Sequence, residues 1–255
     1  MNKKGFTKNN SLAPFGRGLG RGANAFTLAE VLITLGVIGV VSAMTLPSVI
    51  NKFRVKALET GFKKSYSNIS KAVLHIKNTL EIDDLWAYCT VYDSSYINSE
   101  ECKSMFYNNL GAKDKAKPYT MYNYNATKSF GSNSEDPDYP NISYILPDGS
   151  GIGVDITSWK IYIFVDVNGY RKPNKIGHDI FCFAINNKSD SVKLRKQDRA
   201  YTEEELKNSS YAYVTGSPCN KDSKQILNGI GCAWYAFNNV NPDDETKTYW
   251  DNLPR

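Results

Sequence analysis

Glu30 is the only charged residue in the stretch 26–50, which reads FTLAEVLITLGVIGVVSAMTLPSVI. A carboxylate inside a membrane-length apolar run is costly unless it is protonated or paired, so its chemistry would be that of an ion pair. A second group of reactive types lies at 166–179, DVNGYRKPNKIGHD. Asp166, Asn168, Asn174 and Asp179 offer hard oxygen ligands that suit Ca2+. The spacing is not that of an EF-hand, and the same residues suit a turn in which Asp and Asn cap backbone groups and Gly supplies positive φ. Both readings stand at this level. The two histidines are His75 and His178. His75 lies beside an apolar helical stripe and is expected to be partly buried there; His178 belongs to the 166–179 loop. No GxSxG, Walker A or HExxH pattern occurs, so an enzyme is not expected.

The elements that must position these groups follow from periodicity. Residues 31–50 form 20 positions without a charge. At ~1.5 Å per residue they span roughly 30 Å, the thickness of a bilayer core. Pro47 removes one helical hydrogen bond, and Gly36 and Gly39 permit close helix approach. Beyond it, Val55, Leu58, Phe62, Tyr66, Ile69, Val73, Ile76 and Leu80 make one apolar stripe at helical spacing, opposite Lys52, Arg54, Lys56, Lys63, Lys64 and Lys71. One helix of two halves is therefore predicted, 26–50 apolar all round and 51–80 amphipathic. Residues 81–140 read as a loop-rich connection with a short helix near 99–110. Strands are predicted at 142–146, 151–156, 159–165 and 179–185, with 192–194 as an edge, in an antiparallel meander of three or four strands. Trp159, Ile161, Ile163 and Val165 share one strand face, as do Phe181, Phe183 and Ile185. A helical turn is expected at 202–207, and a short helix or packed loop at 225–237. The fold class is α+β, a long N-terminal helix on a small antiparallel sheet.

Charge assigns sides. The first 25 residues carry Lys3, Lys4, Lys8, Arg17 and Arg21 and no acid. The chain holds 31 Lys+Arg and 26 Asp+Glu, so without that leader it is formally neutral. The basic excess thus marks the cytoplasmic side, and a chain-wide basic footprint for nucleic acid is absent. The five cysteines include no CxxC pair, which argues against zinc and thioredoxin-like chemistry. Cys89 with Cys102 and Cys219 with Cys232 make two local pairs that an oxidising compartment would close, leaving Cys182 free. Cys182 could displace either partner. Eleven tyrosines lie in loop-like sequence, including Tyr119, Tyr122, Tyr124, Tyr144 and Tyr213; they serve either as contact surface or as packing of large loops.

The leader ends Gly22-Ala23-Asn24-Ala25 and is followed by Phe26-Thr27-Leu28-Ala29-Glu30 and the apolar run. This arrangement resembles the type IV prepilins, which include type IV pilins and the pseudopilins of type II secretion. The family usually has Gly where Ala25 stands. The resemblance covers the leader and about 25 residues after it. It implies that residues 1–25 are a cytoplasmic leader removed by prepilin peptidase before Phe26, that the new N-terminus is methylated, and that Glu30 pairs with Phe26 of a neighbouring subunit. It implies a pilin-like fold, with 81–255 as an extracytoplasmic head carrying loop-rich, disulfide-closed insertions. Partners would be copies of the chain or other pilins, the peptidase, an inner-membrane assembly platform and membrane lipid. The 166–179 stretch also resembles the D-x-N-G…P-N…G-x-D loop of pseudopilin-like heads, some of which bind calcium. The competing expectation is a monomeric membrane-anchored protein with a ligand-binding or adhesive head. Val41-Ser42-Ala43 resembles a signal-peptidase site that would place the mature start at Met44.

Overall fold

A computed structural model describes residues 26–90, 99–132, 140–157, 160–186, 191–196 and 218–254. Ala25, Trp159 and the helical turn expected at 202–207 lie outside the described residues, as do Tyr92, Tyr96, Tyr139, Tyr211 and Tyr213. The chain divides into two compact units, Met1–Ser48 and Val49–Arg255.

Helix α1 (Leu28–Leu80) contains Pro47. In the first unit its apolar residues are exposed: Leu28, Leu32, Ile33 and Ile38 are each at least 60% accessible. In the second unit the predicted stripe is the buried face. Leu58, Phe62, Ile69, Ala72, Val73 and Ile76 are buried, with Val55, Tyr66 and Leu80 packed beside them. Phe62 is the hub, its ring 4.5 Å from Phe181, 5.8 Å from Phe183 and 5.9 Å from Trp250. Gly61 brings the helix close to Val167, since a Cβ there would lie 3.2 Å from the Val167 Cβ. His75 is exposed rather than partly buried: it sits one position past the stripe, and its carbonyl accepts the Thr79 hydroxyl at 2.9 Å. Leu74 is 60% exposed, so Leu74→Gln should leave thermal stability within about 0.5 kcal/mol of wild type, as read from a melting curve.

Helices α2 (Leu85–Cys89) and α3 (Ser99–Asn109) follow. Asp84 caps α2 by accepting the Ala87 N–H at 2.9 Å. A disulfide joins the two helices through Cys89 and Cys102.

The strands are β1 (Asp114–Lys115), β2 (Thr120–Tyr122), β3 (Ser129–Gly131), β4 (Tyr144–Ile145), β5 (Gly151–Ile156), β6 (Lys160–Asp166), β7 (Ile180–Asn186) and β8 (Lys193–Leu194). Six form one antiparallel sheet in the order β1-β4-β5-β6-β7-β8, and β2 pairs with β3. The sheet is wider than the three or four strands expected; the short helix expected near 99–110 is present as α3, and the described residues of 81–140 add α2 and three short strands to what reads as a loop-rich connection. Both sheet faces are covered. Ile161, Ile163 and Val165 of β6 lie opposite Ile185, Phe183 and Phe181 of β7 and pack with α1. Ile180, Cys182 and Phe164 form a second core with Met121, Ile142, Ile176 and Ile230. Near-continuous apolar runs such as IYIFV and IFCFAI mark strands buried on both sides.

The chain closes with a 3-10 turn (Ile230–Cys232), helix α4 (Ala233–Asn238) and a second 3-10 turn (Trp250–Asn252). A second disulfide joins Cys219 to Cys232, and Cys182 is a buried free thiol.

Candidate functional sites

Glu30 stands in the first turn of α1 and its environment there is local. One carboxylate oxygen accepts the Thr27 N–H at 2.8 Å and the Thr27 hydroxyl at 3.0 Å. The Thr27 hydroxyl in turn accepts the Glu30 N–H at 3.2 Å. This is a capping box, in which Thr and a Glu three residues on satisfy helix-end donors reciprocally. The signal for it in the sequence is the T-x-x-E spacing of Thr27 and Glu30. Among the described residues Glu30 has no cationic partner within the chain. Phe26 is 83% exposed.

The second site is the connection from β6 to β7. Asp166 closes β6 and is fully buried. Its Oδ2 accepts the Tyr119 hydroxyl at 2.7 Å, and its Oδ1 accepts the Asn168 N–H at 3.2 Å. Asp179, also fully buried, accepts the Asn174 N–H at 2.9 Å and the Lys175 N–H at 2.7 Å, one on each oxygen. Gly169 and Asn174 adopt positive φ, at 63° and 52°. Strand β2 braces the loop: the Tyr122 N–H donates to the Asn174 carbonyl and the Ile176 N–H to the Tyr122 carbonyl, both at 2.8 Å.

The C-terminal segment grips the far end of the same loop. Gly177 has φ of 81°, and a Cβ there would lie 2.7 Å from the Tyr124 ring and 2.8 Å from Cys232 Sγ, so only glycine fits. The Tyr249 hydroxyl donates to the Gly177 carbonyl. His178 Nε2 lies 2.9 Å from the Tyr124 carbonyl, which places its proton on Nε2. Burial, then the Lys175 charge, lower the His178 pKa to about 3, so the ring is neutral and structural.

Electrostatically the loop is loaded. Burial, and then the neighbouring Asp179, push Asp166 well above the ordinary carboxylate range. Burial raises Asp179 to about 6 against the opposing effect of its backbone hydrogen bonds. The arrangement is that of the capped turn, because every carboxylate oxygen of the pair already accepts a donor. Its donor set also retains a feature of a cation site: the Oδ1 atoms of Asn168 and Asn174 are buried without a partner. Two carboxylates and two amide oxygens are the hard ligands Ca2+ takes. Among the described residues no group of three His, Cys, Asp or Glu could hold a metal, so an ion here would depend on those amides. Tyr119, Tyr124 and Tyr249, which hold the loop, carried no periodic signal and were legible only as members of an aromatic-rich sequence.

No known protein family, curated protein or solved structure matches this chain.

Proposed function

We propose that the chain is a filament subunit of the prepilin type, cut between Ala25 and Phe26 and assembled through α1 into a pilus-like or type II secretion pseudopilus-like fibre. The observation that supports this reading is the first half of α1. It is long and apolar enough to cross a membrane, and its apolar side chains are exposed. Its one charge is Glu30, five residues into the proposed mature chain. In the membrane this surface faces lipid. In a filament neighbouring helices replace the lipid, and the α-amino group of Phe26 on the next copy supplies the partner a buried carboxylate needs. The chain's own part is structural, and the chemistry of maturation is done to it by the peptidase. The head would lie outside the cytoplasmic membrane, where the two disulfides persist.

A second reading has one observation in its favour. The capping box gives Glu30 a task in a single chain, which is what a monomeric membrane-anchored adhesion or ligand-binding protein would need. Sequencing the N-terminus of the membrane-extracted protein separates the readings. A start at Phe26 is expected. A start at Met44, or retention of the leader, would overturn the filament assignment.

A further inference from the structure

The neutral total charge of the chain beyond its leader hides a local segregation. Lys113, Lys115 and Lys117 stand at alternate positions along and beside β1, which is an edge strand of the main sheet, and all three are exposed. Lys115 lies in β1 and Lys113 and Lys117 flank it, so three exposed ammonium groups gather along this short edge segment. The β6–β7 loop adds Arg171 and Lys172, both exposed. The two segments meet: the Lys117 N–H donates to the Tyr170 hydroxyl at 2.6 Å, and the Tyr170 ring packs edge-on against Tyr119 at 5.5 Å. Strand β2 pairs with the same loop through Tyr122 and Lys175, and the β2–β3 turn carries exposed Lys128. Among the described residues none of Lys113, Lys115, Lys117, Lys128, Arg171 and Lys172 forms an ion pair, and the exposed acid on these segments is Asp114. Asp166 and Asp179 lie beneath, fully buried and turned to internal donors. Within this cationic field two aromatic rings stay open to solvent, Tyr170 at 47% and Tyr122 at 37%.

We propose that this face, the β1 edge together with the β6–β7 loop, binds single-stranded nucleic acid, with the Lys and Arg groups on phosphates and Tyr122 and Tyr170 as stacking platforms for bases. A group of cations alone fits any polyanion. Exposed rings set among the cations fit one whose repeating units carry flat faces, which is the arrangement single-strand binders use. The base need not be read, because every base has a π-face. The proposal concerns the head's surface and does not rest on filament assembly.

The test uses full-length protein in detergent micelles and fluorescence anisotropy of a labelled oligothymidylate, with dextran sulfate as a polyanion without bases. Binding is expected at roughly 50 mM NaCl and should weaken about 20-fold by roughly 200 mM, as for some three phosphate contacts. Lys117→Glu with Arg171→Glu should lose at least about tenfold and flatten that salt dependence. Tyr122→Ala and Tyr170→Ala should each weaken oligothymidylate about fivefold and leave dextran sulfate unchanged, and Tyr170→Phe should restore binding. If Tyr170→Ala fails to fold, the Tyr122→Ala arm reads the same quantity. No anisotropy change at low salt would overturn the proposal. So would equal losses for both polymers in the Tyr variants, which would reassign the face to an anionic glycan.

Discussion

If the chain is a prepilin-type subunit, Glu30→Gln should leave it in the membrane and lower filament assembly at least tenfold. The substitution is chosen because alanine would remove the capping contacts to Thr27 together with the charge proposed for assembly. Within the chain its carboxylate accepts the Thr27 N–H and hydroxyl at 2.8 and 3.0 Å. A glutamine oxygen accepts the same donors, and Gln serves at this position of a capping box as Glu does. Helix initiation is therefore preserved, and insertion, which is driven by the apolar run, is preserved with it. What Gln lacks is the charge. If Glu30 pairs across subunits with the amino group of Phe26, the variant leaves that amino group buried and uncompensated in the fibre, a loss on the order of 3 kcal/mol or more. A loss of 1.4 kcal/mol is already tenfold in an association constant. Glu30→Ala should show the same assembly defect with some fraying of the first turn. The measurement is the amount of sheared, sedimentable protein relative to the membrane-resident pool. Wild-type fibre yield from Glu30→Gln would assign Glu30 to the capping box alone and remove its role in assembly.

The parts of the fold legible in the sequence are those with a long period or a covalent marker. The stripe from Val55 to Leu80 repeats over seven turns, and tertiary context had only to choose what it faces. The two cysteine pairs are local, so closing them needs little chain reorganisation. The central strands were visible through β-branched and aromatic density, but their second buried face was not credited. Phe164, Cys182 and Ile180 lie on the opposite strand faces, and Met121, Ile142 and Ile176, which cover them, come from segments with no strong local signal. The elements missed within 81–140 are short and polar, held by contacts with distant residues. Asn123 donates through Nδ2 to the Gln225 carbonyl at 3.0 Å, across 102 positions. The C-terminal plug has the same character. Tyr249 and Trp250 are buried in a stretch whose neighbours are Asp, Asn, Thr and Lys, and Asn239 Oδ1 accepts both of their N–H groups, at 3.1 and 3.3 Å. No local propensity announces such a pair, because its order comes from where the disulfide and the loop place it. Of the 166–179 site, the four oxygen-bearing residues and the glycine turns could be read off directly. The brace from Tyr119 and the grip from Tyr249 could not.

Asp166→Asn raises the melting temperature near neutral pH, and the advantage disappears on mild acidification. Asp166 and Asp179 are two buried carboxylates, each raised above the ordinary range. Asp179 moves from an ordinary 3.8 to about 6. The folded state therefore keeps a proton that the unfolded chain has released, so the stability this pair contributes is full below about pH 3.8 and is lost as pH rises through about 6. His178 acts in the opposite direction. Its pKa falls from 6.5 to about 3, so its contribution is present above about pH 6.5 and is lost as pH falls. The wild-type profile mixes the two, but the difference between wild type and Asp166→Asn isolates the carboxylates. Asparagine keeps an Oδ1 for the Asn168 N–H, and its Nδ2 donates to the Tyr119 oxygen, so the contact with Tyr119 is kept with its direction reversed. At about pH 7 the variant should be more stable by about 1–2 kcal/mol, because it removes the burial cost of one carboxylate and, second, its repulsion with Asp179. At about pH 4 the gap should close. A divalent cation competes for the same relief. If Asp166, Asn168, Asn174 and Asp179 hold Ca2+, about 1 mM calcium will raise the wild-type melting temperature near pH 7 and leave the variant unmoved. If the turn is only capped, calcium will move neither. A variant less stable than wild type near pH 7 in the absence of calcium would show that the two carboxylates do not oppose one another.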